Sequence, residues 1–521
     1  MSAGAVAAVE AVRFKYLERS EHHTLGSALF QLVCYDVLHV LGGRARKAHD
    51  ADCAAFGAVQ REVLIGRLAA NLGTAYGKDH DFASMLASGE RDLDGVVDAF
   101  RRGHPLAKYE HFAPYVERIA GGEAAVLNAE AETMLAATSG TSGRRALLPS
   151  TKLMSSTFFT HGILVVFDTL RRAGVDCFHL QRTCKLTFAA AYQEAPGSGL
   201  RIGPNSSGPG DPSFKRLLPL YSSPLAAYQI ATDEASAMYV HALFAVRDRQ
   251  LGVLEANFAS LPNRLLDLVA REGFRLADDV EKGQLCAVVA ARLDPVVVRD
   301  INAALGGGSK ARADEIRAAL RGPLASGQVA EDGVLVGGLA RRVWPNLRLI
   351  LANATGSFEV YARRLLGDHD HDRAQGGGAQ GGGAQGFGAA AGVPILSTIY
   401  AASEGLMGVA IGDDSGTAES QTSHAPQTDG FSVFCLVPRA MFFEFLPIVD
   451  GDASPPGPKA AGAPNASGEA LVGGTLLASE LTVGEDYELV VTTLGGLCRY
   501  RLGDVVRVAG FHGGAPLVEF R

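Results

Sequence analysis

WPNLRLILANATGSFEVY, residues 344–361, is the stretch on which the reading of this chain turns. LRLILAN is an apolar run of strand character. Thr355-Gly356-Ser357 breaks it with a glycine turn, and a helix is expected to follow. A helix N-terminus flanked by Ser and Thr favours an anion such as a carboxylate, because its backbone N–H groups lack partners. The same residues also fit a routine strand–turn–helix junction with Ser357 as N-cap. Taken alone, the stretch favours the routine junction.

Three other stretches widen the reading. Upstream lies TSGTSGRR, residues 138–145. Tandem Ser/Thr-Gly units make a loop whose N–H groups and hydroxyls can wrap phosphate oxygens, and glycine supplies the positive φ such a nest needs. It is not a Walker A loop, which requires GxxxxGK. A plain solvent loop has the same composition. Downstream lies IYAASEG, residues 399–405, following the short strand PILST. Here Tyr400 is placed to lie on a purine face. Glu404 offers hard oxygen ligands to Mg²⁺ bridging phosphates. The bland alternative is a core tyrosine beside a surface glutamate. Last comes RYRLGDVV, residues 499–506. Gly503-Asp504 reads as a tight turn presenting a carboxylate, which can accept both hydrogen bonds of a ribose diol. An Asp at an ordinary hairpin turn reads the same way.

The rest of the chain bounds the answer. At 521 residues it is too long for one ordinary core. A formal charge of −8 offers no basic excess for a nucleic-acid backbone. The cysteines, Cys34, Cys53, Cys177, Cys184, Cys286, Cys435 and Cys498, are scattered and show no CxxC. That pattern reads as reduced thiols, with neither a disulfide framework nor a zinc site. The start lacks a basic head followed by an unbroken apolar core, so no secretory signal is evident and the cytoplasm is the default location. Leu25 to Leu41 is apolar but contains Gln31, Asp36 and His39, and reads as a buried amphipathic helix rather than a membrane span. Val59, Val63, Leu64, Leu68 and Leu72 follow helical spacing.

Residues 1–48 read as a helical extension and 49–521 as one large domain. Two low-complexity insertions, 367–392 and 449–469, interrupt that domain and are expected to be mobile surface segments whose flanks meet. His369, Asp370, His371 and Asp372 in the first insertion are a solvated charge run rather than a metal site. YELVVTT and DVVRVAGF read as strands, with Gly-Gly between them as the turn.

The order of the four motifs resembles the adenylate-forming superfamily of acyl-CoA ligases and luciferases. Their wording, with TAYGKDHDF and KYEHFAPYVERIAGGE, is similar to the Gretchen Hagen 3 family of auxin-responsive acyl acid–amido synthetases. The resemblance runs from about Gln60 to the end, the insertions excepted. It implies an α/β adenylate-forming fold: a large region of layered sheets with helices, a small β-barrel, and a C-terminal lid. It implies two reactions, activation of a carboxylic acid by ATP with Mg²⁺ and amide formation with an amino acid. An indole-3-acetic acid-like or other hydrophobic acid is the expected substrate class. By the same resemblance Ser139, Gly140, Thr141, Ser142 and Gly143 cradle phosphates, and Thr355 and Ser357 sit by the acid and nucleotide. Tyr400 flanks adenine with Ser403 beside the nucleotide, Glu404 binds Mg²⁺ and takes part in catalysis, and Asp504 holds the ribose.

Two departures stand out. Ala146 occupies a position where family members usually have lysine. The sequence also ends at Arg521, where the resemblance leads one to expect the lid to begin, so the lid is expected to be absent here. The readings that follow are an amido synthetase, an adenylating enzyme with another acceptor, or a catalytically impaired binding homologue.

Overall fold

A computed structural model describes residues 19–89, 93–138, 146–173, 180–189, 192–205, 212–231, 233–321, 338–366, 390, 392–412, 433–448 and 472–521. The expected α/β character is present as three sheets wrapped by helices.

Helix α1, Leu25–Ala54, opens with Thr24 as N-cap, its side chain accepting from the Ser27 N–H. It runs straight through residue 48, so the anticipated boundary there falls inside a helix. Nor is its apolar stretch buried. Leu25 is 82% exposed, Val33 54% and Val40 56%. The face turned inward carries Gln31, Gly42, Arg46, His49 and Cys53 instead. Gln31 donates to the Gln181 carbonyl at 2.8 Å, and Arg46 to the Ile411 carbonyl at 2.8 Å. Gly42 lets α1 approach the helix Leu164–Arg172 closely, since a Cβ there would stand 2.9 Å from the Leu164 oxygen. By length and composition α1 and the helical stretch Lys152–Arg172 are both apolar enough to cross a membrane.

Helix α2, Phe56–Ala70, follows the expected spacing. Val59, Leu64 and Leu68 are buried, whereas Leu72 lies beyond its end. Helices α3 (Ala75–Asp79), α4 (Phe82–Ala87), α5 (Leu93–Gly103) and α6 (Tyr109–Ala120) complete an N-terminal helical layer.

The first sheet joins β1 (Glu132–Ala137), β2 (Leu147–Thr151), β4 (Gln193–Glu194) and β5 (Arg201–Gly203) in the order β2-β1-β5-β4. The second is wholly parallel: β3 (Arg182–Leu186), β6 (Leu251–Phe258), β7 (Leu349–Asn353) and β8 (Ile395–Leu396). Helices α7 (Glu234–Arg247) and α8 (Ser260–Lys282) pack with it, and the buried Trp344 indole donates to the Ala245 carbonyl at 2.7 Å. The third sheet is antiparallel. It takes β9 (Ile399–Ala402), β10 (Gly405–Val409), β11 (Phe434–Leu436), β12 (Phe442–Pro447), β13 (Asp486–Thr492), β14 (Tyr500–His512) and β15 (Ala515–Phe520) in the order β12-β13-β14-β15-β11-β10-β9. Among the described residues β12 and β9 are its edges. Where a small closed barrel was expected, the described residues form an open seven-stranded sheet.

Most of both insertions lies outside the described residues, but their flanks do meet. The Ala390 N–H donates to the Leu365 carbonyl at 2.9 Å, and Phe445 and Leu476 exchange backbone bonds of 2.9 and 2.7 Å. The charge run His369, Asp370, His371 and Asp372 also lies outside the described residues.

Candidate active site

The parallel sheet delivers the first part of the site. In open α/β sheets ligands gather at the carboxyl ends of the strands, and β7 ends at Asn353 just before Thr355-Gly356-Ser357. The Asn353 side-chain oxygen accepts from the Thr355 N–H at 3.1 Å and from its hydroxyl at 2.9 Å. Gly356 takes φ +58°, with open space where a Cβ would be. A single 3₁₀ turn, Gly356–Phe358, then leads into helix α9, Glu359–Leu366. Ser357 is therefore not the N-cap; it sits exposed within the turn, and Thr355 occupies the capping position. The Ala354 N–H donates to the Ser397 hydroxyl at 2.7 Å, which ties this turn to the chain leaving β8.

Beside the turn lies a pair that sequence reasoning missed. Phe258 and Phe358 stack with centroids 4.3 Å apart and planes at 18°, and Phe258 is 41% exposed. Phe358 was within the opening stretch, but only the β6–β7 register, which sets Phe258 opposite Asn353, shows that the two rings meet. An exposed aromatic pair at a strand end is a surface on which an apolar acid can rest.

The antiparallel sheet supplies the second part. IYAASEG folds as a hairpin, with Ala402 opposite Gly405 and Ser403-Glu404 as its two-residue loop. Gly405 has φ +141°, and a Cβ there would stand 3.3 Å from the Met441 methyl. Glu404 and Gly405 line a small pocket with Met154, Thr157, Leu406, Ala440 and Leu494. Asp504 comes from β14, close enough for its charge to act on Glu404. It is not in a tight turn between strands: Gly503-Asp504 lies inside a continuous strand. The pairing slips there, since Glu488 faces Val505 while Val490 faces Arg501. This is a bulge, a device that re-aims a side chain, and Gly503 at φ +86° permits it.

The Tyr400 hydroxyl donates to Asp504 Oδ2 at 2.7 Å. Its ring is 3% exposed and packs edge-on against Phe520 at 4.5 Å, with Phe434 at 5.9 Å. The ring expected to flank adenine is thus covered by the sheet's own core, and the residue's visible role is to hold Asp504.

Electrostatically this corner is acidic. Burial raises Glu404 above the ordinary carboxylate range, and the charge of Asp504 adds to it. Burial likewise raises Asp504, with Glu488 adding and the Tyr400 hydrogen bond opposing. Two part-desolvated carboxylates that hinder one another's ionisation favour a bound cation or a hydrogen-bond donor.

The loop Ser139–Gly143 lies outside the described residues, as do Arg144 and Arg145. Its anchors do not. It joins β1 to β2, where the Thr138 N–H donates to the Ala146 carbonyl at 2.9 Å. The next N–H, that of Leu147, donates to the Tyr109 hydroxyl at 3.0 Å. The Tyr500 phenol is raised by burial and by the charges of Glu404, Glu110 and Asp504, with Tyr109 also acting on it. Tyr109 thus holds the base of the loop, and Tyr500 lies within electrostatic reach of the carboxylate pair.

The arginines of RYRLGD are structural. Arg499, with φ +45°, is 2% exposed and Glu444 1%. The guanidinium bonds Glu444 at 2.9 and 3.1 Å, the carbonyls of Arg101 and His104 at 2.6 and 2.7 Å, and the Gly473 carbonyl at 2.8 Å. Arg501 pairs with Glu488 at 2.5 Å. Ala107 bonds both neighbours of Tyr500, accepting from Arg501 at 2.8 Å and donating to Arg499 at 3.0 Å. The helical layer and the antiparallel sheet are locked together beside Asp504.

The comparisons with known proteins agree with this architecture. The chain matches the GH3 family N-terminal domain over residues 45–368 and the GH3 family central domain over 434–521. It is 28% identical over 482 residues to a probable indole-3-acetic acid-amido synthetase GH3.12 of Oryza sativa subsp. japonica, covering 89% of this chain and 68% of that one. It is 26% identical to indole-3-acetic acid-amido synthetase GH3.17 of Arabidopsis thaliana, with the same coverage of 89% and 68%. The chain thus spans about two thirds of the length of these curated relatives. Among solved structures it is similar to a GH3.15 acyl acid amido synthetase, with TM-score 0.66, 22% identity, and coverage of 94% of this chain and 70% of that one. That likeness bears on the fold. The chain belongs to the GH3 family.

Proposed function

We propose that this chain activates a carboxylic acid with ATP and passes the acyl group to the amine of an amino acid. In the first step a carboxylate oxygen of the acid attacks the α-phosphorus, the bond to the pyrophosphate oxygen breaks, and an acyl-adenylate forms. In the second the amine attacks the acyl carbon, the bond to AMP breaks, and the nitrogen loses a proton as the amide forms. The single observation that carries the reading is the Tyr400–Asp504 bond of 2.7 Å, with Glu404 within electrostatic reach of Asp504. The names of the relatives, indole-3-acetic acid-amido synthetases, support the substrate class.

Asp504, fixed by Tyr400, is suited to accept hydrogen bonds from a ribose diol. Glu404 is the residue suited to hold Mg²⁺: its burial and its acidic neighbour make a cation the natural complement. When bound, the ion supplies charge neutralisation on the phosphates. Thr355 and Ser357 orient the attacking carboxylate, and Phe258 and Phe358 rest against its apolar body. A structure of a GH3.15 relative in complex with 2,4-DB supports a hydrophobic acid as the class. Ser139–Gly143 bind the phosphates in this reading, with Ser403 beside them. The same reading places the chain in the cytoplasm, consistent with six free cysteines among the described residues.

ATP–pyrophosphate exchange over a panel of hydrophobic acids, starting with indole-3-acetic acid, tests the first step. Mass detection of the amino-acid amide tests the second. Acid-dependent exchange is expected, and exchange absent with every acid would remove the proposal.

A further inference from the structure

Scattered cysteines and the absence of CxxC argued against a zinc site in this chain. Among the described residues, folding nevertheless collects two groups of His and Cys side chains able to ligate an ion: His49, Cys53 and Cys435, and His80, His104 and His111. The first is wholly buried, and its two sulfurs, 3.7 Å apart, already contact each other. The second is better built to receive something from solution.

His80 is the C-cap of α3, His104 directly follows α5, and His111 lies in the first turn of α6. Their ligand nitrogens all lie within 4.8 Å of one another. His104 is buried while His80 and His111 are half-buried, so the group has a closed floor and an open mouth. The His104 Nδ1 lies 2.8 Å from the Pro105 carbonyl. A carbonyl only accepts, so Nδ1 carries the proton and Nε2 presents a lone pair inward. A backbone carbonyl behind one ring nitrogen is the usual support of a metal-binding histidine.

A hydrogen-bond chain explains part of the arrangement. The Tyr76 hydroxyl is 2.6 Å from His104 Nε2 and 3.0 Å from His111 Nε2. It does not explain His80. That ring stands 4.7 Å from His104 and 5.1 Å from His111 between centroids, yet among the described residues it makes no hydrogen bond. Tetrahedral zinc sets its nitrogens about 3.3 Å apart. Closing the observed spacing to that value requires the two half-buried rings to move.

We propose that His80, His104 and His111 form a binding site for a borderline divalent transition ion, zinc foremost, with its fourth position open to solvent or taken by Tyr76. An all-imidazole set suits zinc, cobalt, nickel or copper and not magnesium or calcium, which take oxygen. The site is separate from the carboxylate pair. It meets that region through Phe112, which packs against Tyr500 at 6.1 Å, and through the His104 carbonyl held by Arg499.

The test uses untagged protein stripped with chelator, titrated with Zn²⁺ and Co²⁺ and followed by calorimetry, metal content after dialysis, and the visible spectrum of bound Co²⁺. One ion per chain is expected at micromolar concentration. His80→Gln and His111→Gln, both at half-buried positions, should each weaken binding about 10- to 100-fold, with circular dichroism reporting that they fold. Cys53→Ser should leave binding unchanged, which separates this site from the sulfur cluster. No binding of either ion, or binding that survives the His80→Gln/His111→Gln double variant, overturns the proposal.

Discussion

Arg499–Asp504 and Thr355–Ser357 carry the two ends of the candidate site, and they are held in different ways. The first is bound on every side. Arg499 lies at a left-handed backbone angle, buried against Glu444 and three carbonyls, and Asp504 is aimed by a bulge and fixed by Tyr400. The second rests on Asn353, two residues before Thr355, and on the Ser397 hydroxyl that accepts from the Ala354 N–H, and Ser357 stands exposed. The difference is physically sensible. On the proposed function, groups that meet the same nucleotide in every turnover gain from pre-organisation, and a turn that meets the variable acid gains from being able to change without disturbing the fold.

The largest effect should come from the clamp. Arg499→Ala leaves the Glu444 carboxylate buried without its principal partner, a loss expected to cost about 3–5 kcal/mol. Denaturant unfolding measures it. Thr355→Ala and Ser357→Ala should stay within about 0.5 kcal/mol of the parent chain. Equal losses at both ends would erase the contrast.

Next in size is the nucleotide. Asp504→Asn should reduce acid-dependent pyrophosphate exchange by about 10²-fold or more, the scale on which removal of one electrostatic contact acts. Tyr400→Phe, which keeps the ring packing and frees Asp504, should lose about tenfold through loss of one charge-assisted hydrogen bond. Both variants should remain folded.

The pH dependence of stability sharpens the comparison further. Glu404 and Asp504 are held above the ordinary carboxylate range, so the folded chain binds their protons more tightly than the unfolded chain. That contribution is complete below about pH 4, the unfolded range, and is lost as pH rises through the raised folded values. Glu404→Gln and Asp504→Asn should each flatten the decline and melt higher than the parent at neutral pH. Thermal melts between acid and neutral pH follow it. A variant that melts lower at neutral pH would contradict the assignment of strain to this pair. The smallest effect belongs to the open end: Ser357→Ala and Phe258→Ala should raise the KM for the acid several-fold and leave that for ATP unchanged.

Much of the site's composition was legible in the sequence, but its geometry was not. The glycine turn after β7 and the Gly-Gly connection before β14 were marked by composition, because glycine is what such backbone requires. Gly503-Asp504 looked like a turn because a bulge uses the same residues; only strand pairing distinguishes them. Tyr400 looked like a platform for a base because one sequence does not show that Phe520, 120 residues later, covers its ring. Helix α1 misled in the opposite sense. Its apolar residues invited burial, whereas the neighbouring helix Leu164–Arg172 required a small residue, Gly42, on the packed face. The histidine cluster, drawn from three segments at 80, 104 and 111, has no spacing that a motif could register.

Titration calorimetry with Mg²⁺ and ATP on the parent chain, Asp504→Asn and Ser357→Ala tests the central claim most directly. The account predicts that Asp504→Asn loses nucleotide affinity while Ser357→Ala binds as the parent does. Nucleotide affinity unchanged in Asp504→Asn would contradict it.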